Sequence, residues 1–421
     1  MKRRFSLLAF FLLGWMCRAA GQNLFIPMDL TQTDHLKAYG AAYWTLEHGM
    51  NVEWLLNYRG GSFLMGYDEG IVRQCRIRGV RFETLDGSAV AEVYRTIEAN
   101  NMEVILLEKA PSIAVYTPPN TLPWDDAVTL ALTYAEIPYE TLWDEGVLRG
   151  KLEKYDWLHL HHEDFTGQYG KFYASYRNAT WYIEQQQLFE REARRMGYDK
   201  VSQLKLATAK MIKEYALRGG FLFAMCSATD SYDIALAAEG TDICHEVFDG
   251  DPVDPDSQKK LDYTQCFAFE NFELYTHPSI YEFSDIDTTP LDRLDVRQAQ
   301  NDYFTLFEFS AKYDPVPTML TQNHVSIVHN FMGQTTGFHQ NLIKKSIVIL
   351  AENTATGEVK YIHGNVGKGT FTFLGGHDPE DYHHLVGDPP TELSLHKNSP
   401  GYRLILNNVL FPAAKKKKQK T

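Results

Sequence analysis

Three stretches of the chain carry side chains whose types and spacing could do chemistry. The first is Gly219-Gly220-Phe221-Leu222-Phe223-Ala224-Met225-Cys226-Ser227-Ala228-Thr229-Asp230. Two glycines close a helical run, Phe221 to Ala224 reads as a short buried strand, and Cys226 falls where that strand must turn into the next helix. A strand-to-helix turn that exposes a nucleophile needs small residues two positions either side, and Ala224 and Ala228 are small. The helix N-terminus behind the thiol would lower its pKa and favour thiolate. The competing reading is a buried structural cysteine, since free Cys is among the most buried residue types. The second stretch, Gly367 to Glu380, reads as a strand that delivers His377 at its carboxyl end. A Cys–His pair needs closeness in space, not in sequence.

The third stretch is Trp157-Leu158-His159-Leu160-His161-His162-Glu163-Asp164. Strand alternation puts His159 and His161 on one face, with His162 on the other as the strand ends. Imidazole and carboxylate suit zinc and related ions, so His159, His161, His162 and Asp164 form an alternative metal set, to which His383-His384 could add ligands. In the other functional reading this strand end is the wall opposite Cys226, where Glu163 hydrogen-bonds the thiol and Gly167 or neighbouring amides serve as oxyanion donors. The plain reading is a polar strand end. Two signals are weaker. Asp249 to Asp256 is rich in oxygen ligands but lacks the order of a calcium loop. Asn57-Tyr58-Arg59-Gly60-Gly61 lacks a nucleotide-loop pattern.

The elements that must position these residues alternate between apolar strand runs and helical periodicity, which predicts an α/β architecture. Residues 22–110 read as a small α/β domain, with strands at Asn23–Pro27, Val52–Leu56 and Val80–Leu85 and helices at Thr33–His48 and Ala89–Ala99. Residues 111–412 read as a second, larger α/β domain, with insertions near 168–200 and 240–340. Its strands fall at Ile113–Tyr116, Tyr155–His161, Phe221–Ala224, Ser346–Leu350, Val359–His363 and Thr370–Leu374, with a closing helix at Tyr402–Leu410.

The ends of the chain have a different character. Lys2, Arg3 and Arg4, an apolar run from Phe5 to Met16 and Ala19-Ala20-Gly21 make residues 1–21 a signal peptide. The apolar run is too short to span a bilayer as a helix. Export to the periplasm or the outer-membrane surface is expected, with no transmembrane segment. Residues 413–421, with Lys415 to Lys418 and Lys420, read as a basic disordered tail and a weak tether to an anionic surface. The whole chain has a net charge of −13, and losing four positive charges with the leader leaves about −17, which argues against nucleic acid. Cys75, Cys226, Cys244 and Cys266 remain, too few in 421 residues for a disulfide scaffold.

The helix–Gly-Gly–strand–Cys226 segment, the late strand ending in His377 and the closing helix resemble the class I glutamine amidotransferase-like superfamily, within it the trehalose-utilisation-like branch. That resemblance implies a flavodoxin-like parallel sheet over roughly residues 111–412 and a Cys–His–acid triad. Cys226 matches the nucleophile and His377 the base; Glu380 is the nearest counterpart of the acid, or Asp378, because one extra residue separates the motif. The mature chain is also similar to an exported Bacteroidota family often labelled asparagine synthetase B, through Gln32 to Gly40, Leu56 to Ser62 and Tyr155 to Tyr169. The label does not fit the chemistry, because neither an N-terminal cysteine glutaminase nor an ATP-pyrophosphatase loop is present. The leading expectation is a cysteine-dependent hydrolase or amidase on a small molecule, with no cofactor. The alternatives are a non-catalytic protein binding a glycan or small molecule, and a zinc-dependent hydrolase using the histidine cluster.

Overall fold

The computed structural model describes residues 21–120, 122–288 and 299–414; all of the expected signal peptide but Gly21, and the lysines of the expected basic tail, lie outside them. Five strands, β1 (Asn23–Ile26), β2 (Val52–Leu56), β3 (Ser62–Gly66), β4 (Glu83–Leu85) and β5 (Glu103–Leu107), form a first sheet in the order β4-β1-β3-β2-β5. Every pairing in it is antiparallel. The tight turn that sets the β2–β3 pairing places Asn57, Arg59, Gly60 and Gly61 at positive φ, from 45° to 84°. At Gly60 a Cβ would stand 2.3 Å from the Met28 carbonyl, so the turn needs glycine there.

This sheet shares its core with the rest of the molecule. The helix His35–Glu47 is buried on nearly all sides, between β2, the helix Ala127–Ala135 and the helix Pro400–Leu410. Leu24, Trp54, Phe63, Trp157, Phe223 and Leu406 belong to one continuous apolar cluster. Arg403, fully buried, donates to the carbonyls of Met28 and Gly60 and so ties the closing helix to the first sheet.

The second sheet contains β6 (Ile113–Tyr116), β7 (Glu140–Leu142), β8 (Trp157–Leu160), β9 (Phe221–Met225), β10 (Tyr303–Leu306), β11 (Ile327–His329), β12 (Phe338–His339), β13 (Val348–Asn353), β14 (Glu358–Val366) and β15 (Gly369–Leu374). The order is β11-β10-β13-β14-β15-β9-β8-β6-β7, with β12 beside β14. Strands β7, β6, β8, β9 and β15 run parallel. From β15 outward the pairing is antiparallel. The sheet is therefore mixed, where the resemblance implies a parallel one. The cause is local: β13–β14 and β14–β15 are joined by tight turns at Gly357 (φ 72°) and Gly367 (φ 56°), and such turns can only link antiparallel strands.

Among the described residues the fold holds no disulfide; Cys75, Cys226, Cys244 and Cys266 are free and buried. No helix among them is long and apolar enough to cross a membrane. In the Asp249–Asp256 loop Lys200 pairs with Asp249 (3.0 Å) and Asp251 (2.5 Å), Lys260 with Asp254 (3.1 Å) and Lys259 with Asp256 (2.8 Å).

One buried histidine away from the sheet's carboxyl edge sets a pH dependence. His363 on β14 bonds Thr372 Oγ1 through Nδ1, at 3.0 Å, while its Nε2 has no partner. Burial pushes its pKa down to about 4. The folded value lies below the unfolded one, so the stabilisation is complete above pH 6.5 and is lost as pH falls towards 4. Between pH 7 and 4.5 this one group should cost the fold about 2–3 kcal/mol. Urea unfolding of wild type and His363→Leu at pH 7.0, 5.5 and 4.5 tests this. The difference between the two proteins should shrink or reverse on acidification, and a constant difference would refute the assignment.

Candidate functional site

The parallel strands β6, β8, β9 and β15 end side by side, and the segments leaving them meet at that edge. After β8 come His161, His162 and Glu163. After β9 comes Cys226, and after β15 the chain turns at Gly376 (φ 87°) into His377. Beyond β6 the chain runs through Trp124 and Asp125 to Asp126, which caps the helix Ala127–Ala135 by accepting from the amides of Val128 and Thr129.

Cys226 is the strained residue of the elbow, with φ 51° in a non-glycine. The amides of Ser227, Gln334 and Thr335 hydrogen-bond its sulfur. Gly333 closes in beside it: a Cβ there would lie 3.1 Å from Sγ and 2.9 Å from the His377 amide nitrogen. Burial nevertheless pushes the thiol up to about 11 against the pull of those amides. Among the described residues no side chain acts as a base on the sulfur. His377 directs Nε2 to the Asp125 carbonyl at 2.9 Å, and Glu163 Oε2 accepts from the His161 amide at 2.9 Å. The cysteine and His377 are thus neighbours through backbone, with no hydrogen bond between thiol and ring.

The remaining acids of the sequence-derived set point elsewhere. Glu380 pairs with His396 at 2.9 Å. Asp378 accepts from the Glu380 amide at 2.8 Å and is fully buried. Asp164 is consumed by its own loop, accepting from Thr166 and from the Gly170 amide. Gly167 lies against the Ser202 backbone.

The histidines converge. His159 bonds the Phe223 carbonyl through Nδ1 (3.1 Å) and meets His161 Nδ1 through Nε2 (3.3 Å). His161 Nδ1 also faces Asp126 Oδ1 at 3.2 Å. Burial alone would raise the Asp126 carboxyl, but His161 and His159 hold it well below the usual range. A carboxylate only accepts, so the His161 proton sits on Nδ1. Its Nε2 is buried and without a partner, and in the neutral ring that nitrogen is a bare lone pair. A carbonyl also only accepts, so His377 carries its proton on Nε2 and leaves Nδ1 bare. His162 has no partner on either nitrogen. Burial and the neighbouring imidazoles hold His162 and His377 far below 6.5, neutral at physiological pH. One nitrogen from each of His161, His162 and His377 lies within 4.8 Å of the others.

Beside this trio Trp124 meets His162 edge-on at 5.4 Å. A chamber lined by Trp124, Trp143, His162, Glu163 and Phe172 leaves about 20 Å³ open, room for about one water. Glu163 Oε1 has no hydrogen-bond partner and stands 4.0 Å from His162 Nε2. Burial pushes this carboxyl up to about 8. Asp126 and Asp125 are the residues that sequence reasoning passed over. The available signal was an Asp pair directly before an apolar helical run, the pattern of an N-cap.

No family model matches the chain, and no curated protein matches it. Among solved structures, the chain is similar to two cytoplasmic proteins of Salmonella typhimurium, at 9% and 11% identity. Each likeness has a TM-score of 0.34, covering 73% and 72% of this chain and 100% of those. A GH42 β-galactosidase is similar at 9% identity and TM-score 0.25, over 64% of this chain and 28% of the other.

Proposed function

We propose that this chain is a metal-dependent hydrolase of a small molecule, holding a zinc-like ion through His161 Nε2, His162 and His377 Nδ1. One observation carries the reading: His161 presents a buried, unpartnered Nε2 while its Nδ1 faces the Asp126 carboxylate at 3.2 Å. This is the carboxylate–histidine pairing that orients metal ligands. Three imidazoles leave a position open for water, and a bound ion would supply an activated water and polarise a carbonyl. Glu163 is placed beside that position to take or give a proton. Trp124 and Phe172 line the chamber beside His162 and Glu163.

A second reading keeps Cys226 as the nucleophile of an amidotransferase-like amidase. The observation in its favour is the φ of 51° at the cysteine together with three amides on the sulfur. The strand order β7-β6-β8-β9-β15 supports the flavodoxin-like reading of the parallel half. In both readings the protein is exported to the periplasm, as its leader suggests, and is no ATP-dependent asparagine synthetase. Binding of a glycan without turnover is the outcome if neither group is needed.

Elemental analysis and inhibition separate the readings. The purified protein should carry stoichiometric metal, a chelator should abolish hydrolysis across a panel of small esters and amides, and a thiol alkylator or Cys226→Ala should change rates by less than about threefold. Metal-free, chelator-resistant protein silenced by Cys226→Ala would sink the metal reading and leave the amidase.

A further inference from the structure

The histidine trio uses only part of the buried polar edge. Beyond it, His384 lies face to face on His377, with ring centroids 3.5 Å apart and planes at 12°. Its side chain is 8% exposed, and its Nε2 has no hydrogen-bond partner. Its backbone takes φ 43°, a strained value for a residue other than glycine. Around His384 Nδ1 stand Asp381 Oδ2 at 3.4 Å and Asp125 Oδ1 at 3.7 Å.

These separations discriminate between two explanations. An imidazolium held between two carboxylates would form aligned, charge-assisted bonds of about 2.7–2.9 Å. The contacts observed are longer, 3.4 Å to Asp381 and 3.7 Å to Asp125, and the opposite nitrogen, Nε2, is buried without a partner. Two donors each about 2.1 Å from a tetrahedral ion stand about 3.4 Å apart, which is the His384–Asp381 separation, with Asp125 a little farther at 3.7 Å. His377 cannot complete both groups, because its Nε2 proton is committed to the Asp125 carbonyl and only one lone pair remains.

We propose that His384, Asp125 and Asp381 form a second divalent-cation position beside the His161–His162–His377 group. Its one nitrogen and two carboxylates suit zinc or manganese. The position stands on its own ligands, while a part for it in turnover rests on the metal-dependent hydrolase reading. Two adjacent ions would clamp both the attacking and the departing oxygen of a substrate.

Equilibrium dialysis of the full chain against Zn²⁺ or Mn²⁺, read by elemental analysis, tests this with three variants. Wild type should bind two ions. His384→Ala should retain one, Asp381→Asn should weaken one at least tenfold, and His161→Ala should keep the ion that His384→Ala loses. Asp381 is partly exposed, so its Asn variant keeps the test valid if His384→Ala unfolds. A single ion lost in His161→Ala and unaffected by His384→Ala and Asp381→Asn overturns the second position and leaves the first. A single ion lost in both His161→Ala and His384→Ala means one shared ion, and also overturns it. A single ion lost only in His384→Ala and weakened by Asp381→Asn supports this position and removes the first. No bound ion in wild type overturns both.

Discussion

His161→Ala should leave a folded protein that has lost its metal and its hydrolytic activity. The side chain is fully buried and its Nε2 is the ligand for which no alternative partner exists. Removing one of three ligands should lower affinity by at least two orders of magnitude, and turnover should fall to background with it. Asp126→Asn should be milder. It keeps the shape but replaces the carboxylate behind His161 with a neutral amide, and such outer partners are worth 10–100-fold in affinity or activity. The two variants therefore form a graded pair, with dissociation constants from metal titration and rates from one ester substrate. His161→Gln covers the case in which the alanine cavity unfolds the protein, and circular dichroism checks the fold. Full activity in folded His161→Ala or His161→Gln would end the metal reading, whatever Asp126→Asn does.

The elbow was legible because it is local. Two glycines, five apolar residues and a cysteine between small neighbours specify a strand and a turn without help from the rest of the chain. The helix Ala228–Ala237 duly comes directly after Cys226 and Ser227. The surroundings of that cysteine were not legible, because they come from elsewhere in the chain. The amides on the sulfur belong to Gln334 and Thr335, in a segment without periodicity. Asp126 lies more than thirty residues before His159 and His161 and reaches them only through the loop after β6. The acid expected after His377 fails for a similar reason: beyond Pro379, Glu380 is carried to His396. The fold shows the same division. Its parallel half comes from apolar runs separated by helices, whereas the antiparallel extension depends on single turn glycines whose φ cannot be read from composition. In the first 110 residues, β3 and β5 went unseen although each is as long as β2 and longer than β1.

Asp144→Ala should destabilise the protein by about 3–5 kcal/mol, the cost of leaving a buried charge without its partner. Lys205 and Asp144 are each 1% exposed and meet at 2.9 Å. The ammonium also bonds Tyr116 Oη at 2.9 Å and lies 3.6 Å from the Trp143 ring centroid. Asp144 in turn accepts from Thr208 Oγ1 at 3.0 Å and from Tyr116. Losing the aspartate strips Lys205 of the one opposite charge at bonding distance among the described residues, and burial already pushes the lysine towards its neutral form. Lys205→Met should cost less, because Tyr116 and Thr208 still donate to Asp144. The double variant Asp144→Leu/Lys205→Met should recover part of the loss, since an apolar pair of similar volume carries no unpaired charge. The effect bears on the site as well, because Trp143 and Lys205 line the chamber beside His162 and Glu163. Urea unfolding of the two single variants and the double variant gives the coupling directly. A cost below about 1 kcal/mol for Asp144→Ala would mean that water reaches this pair, and the chamber wall would then be open to solvent.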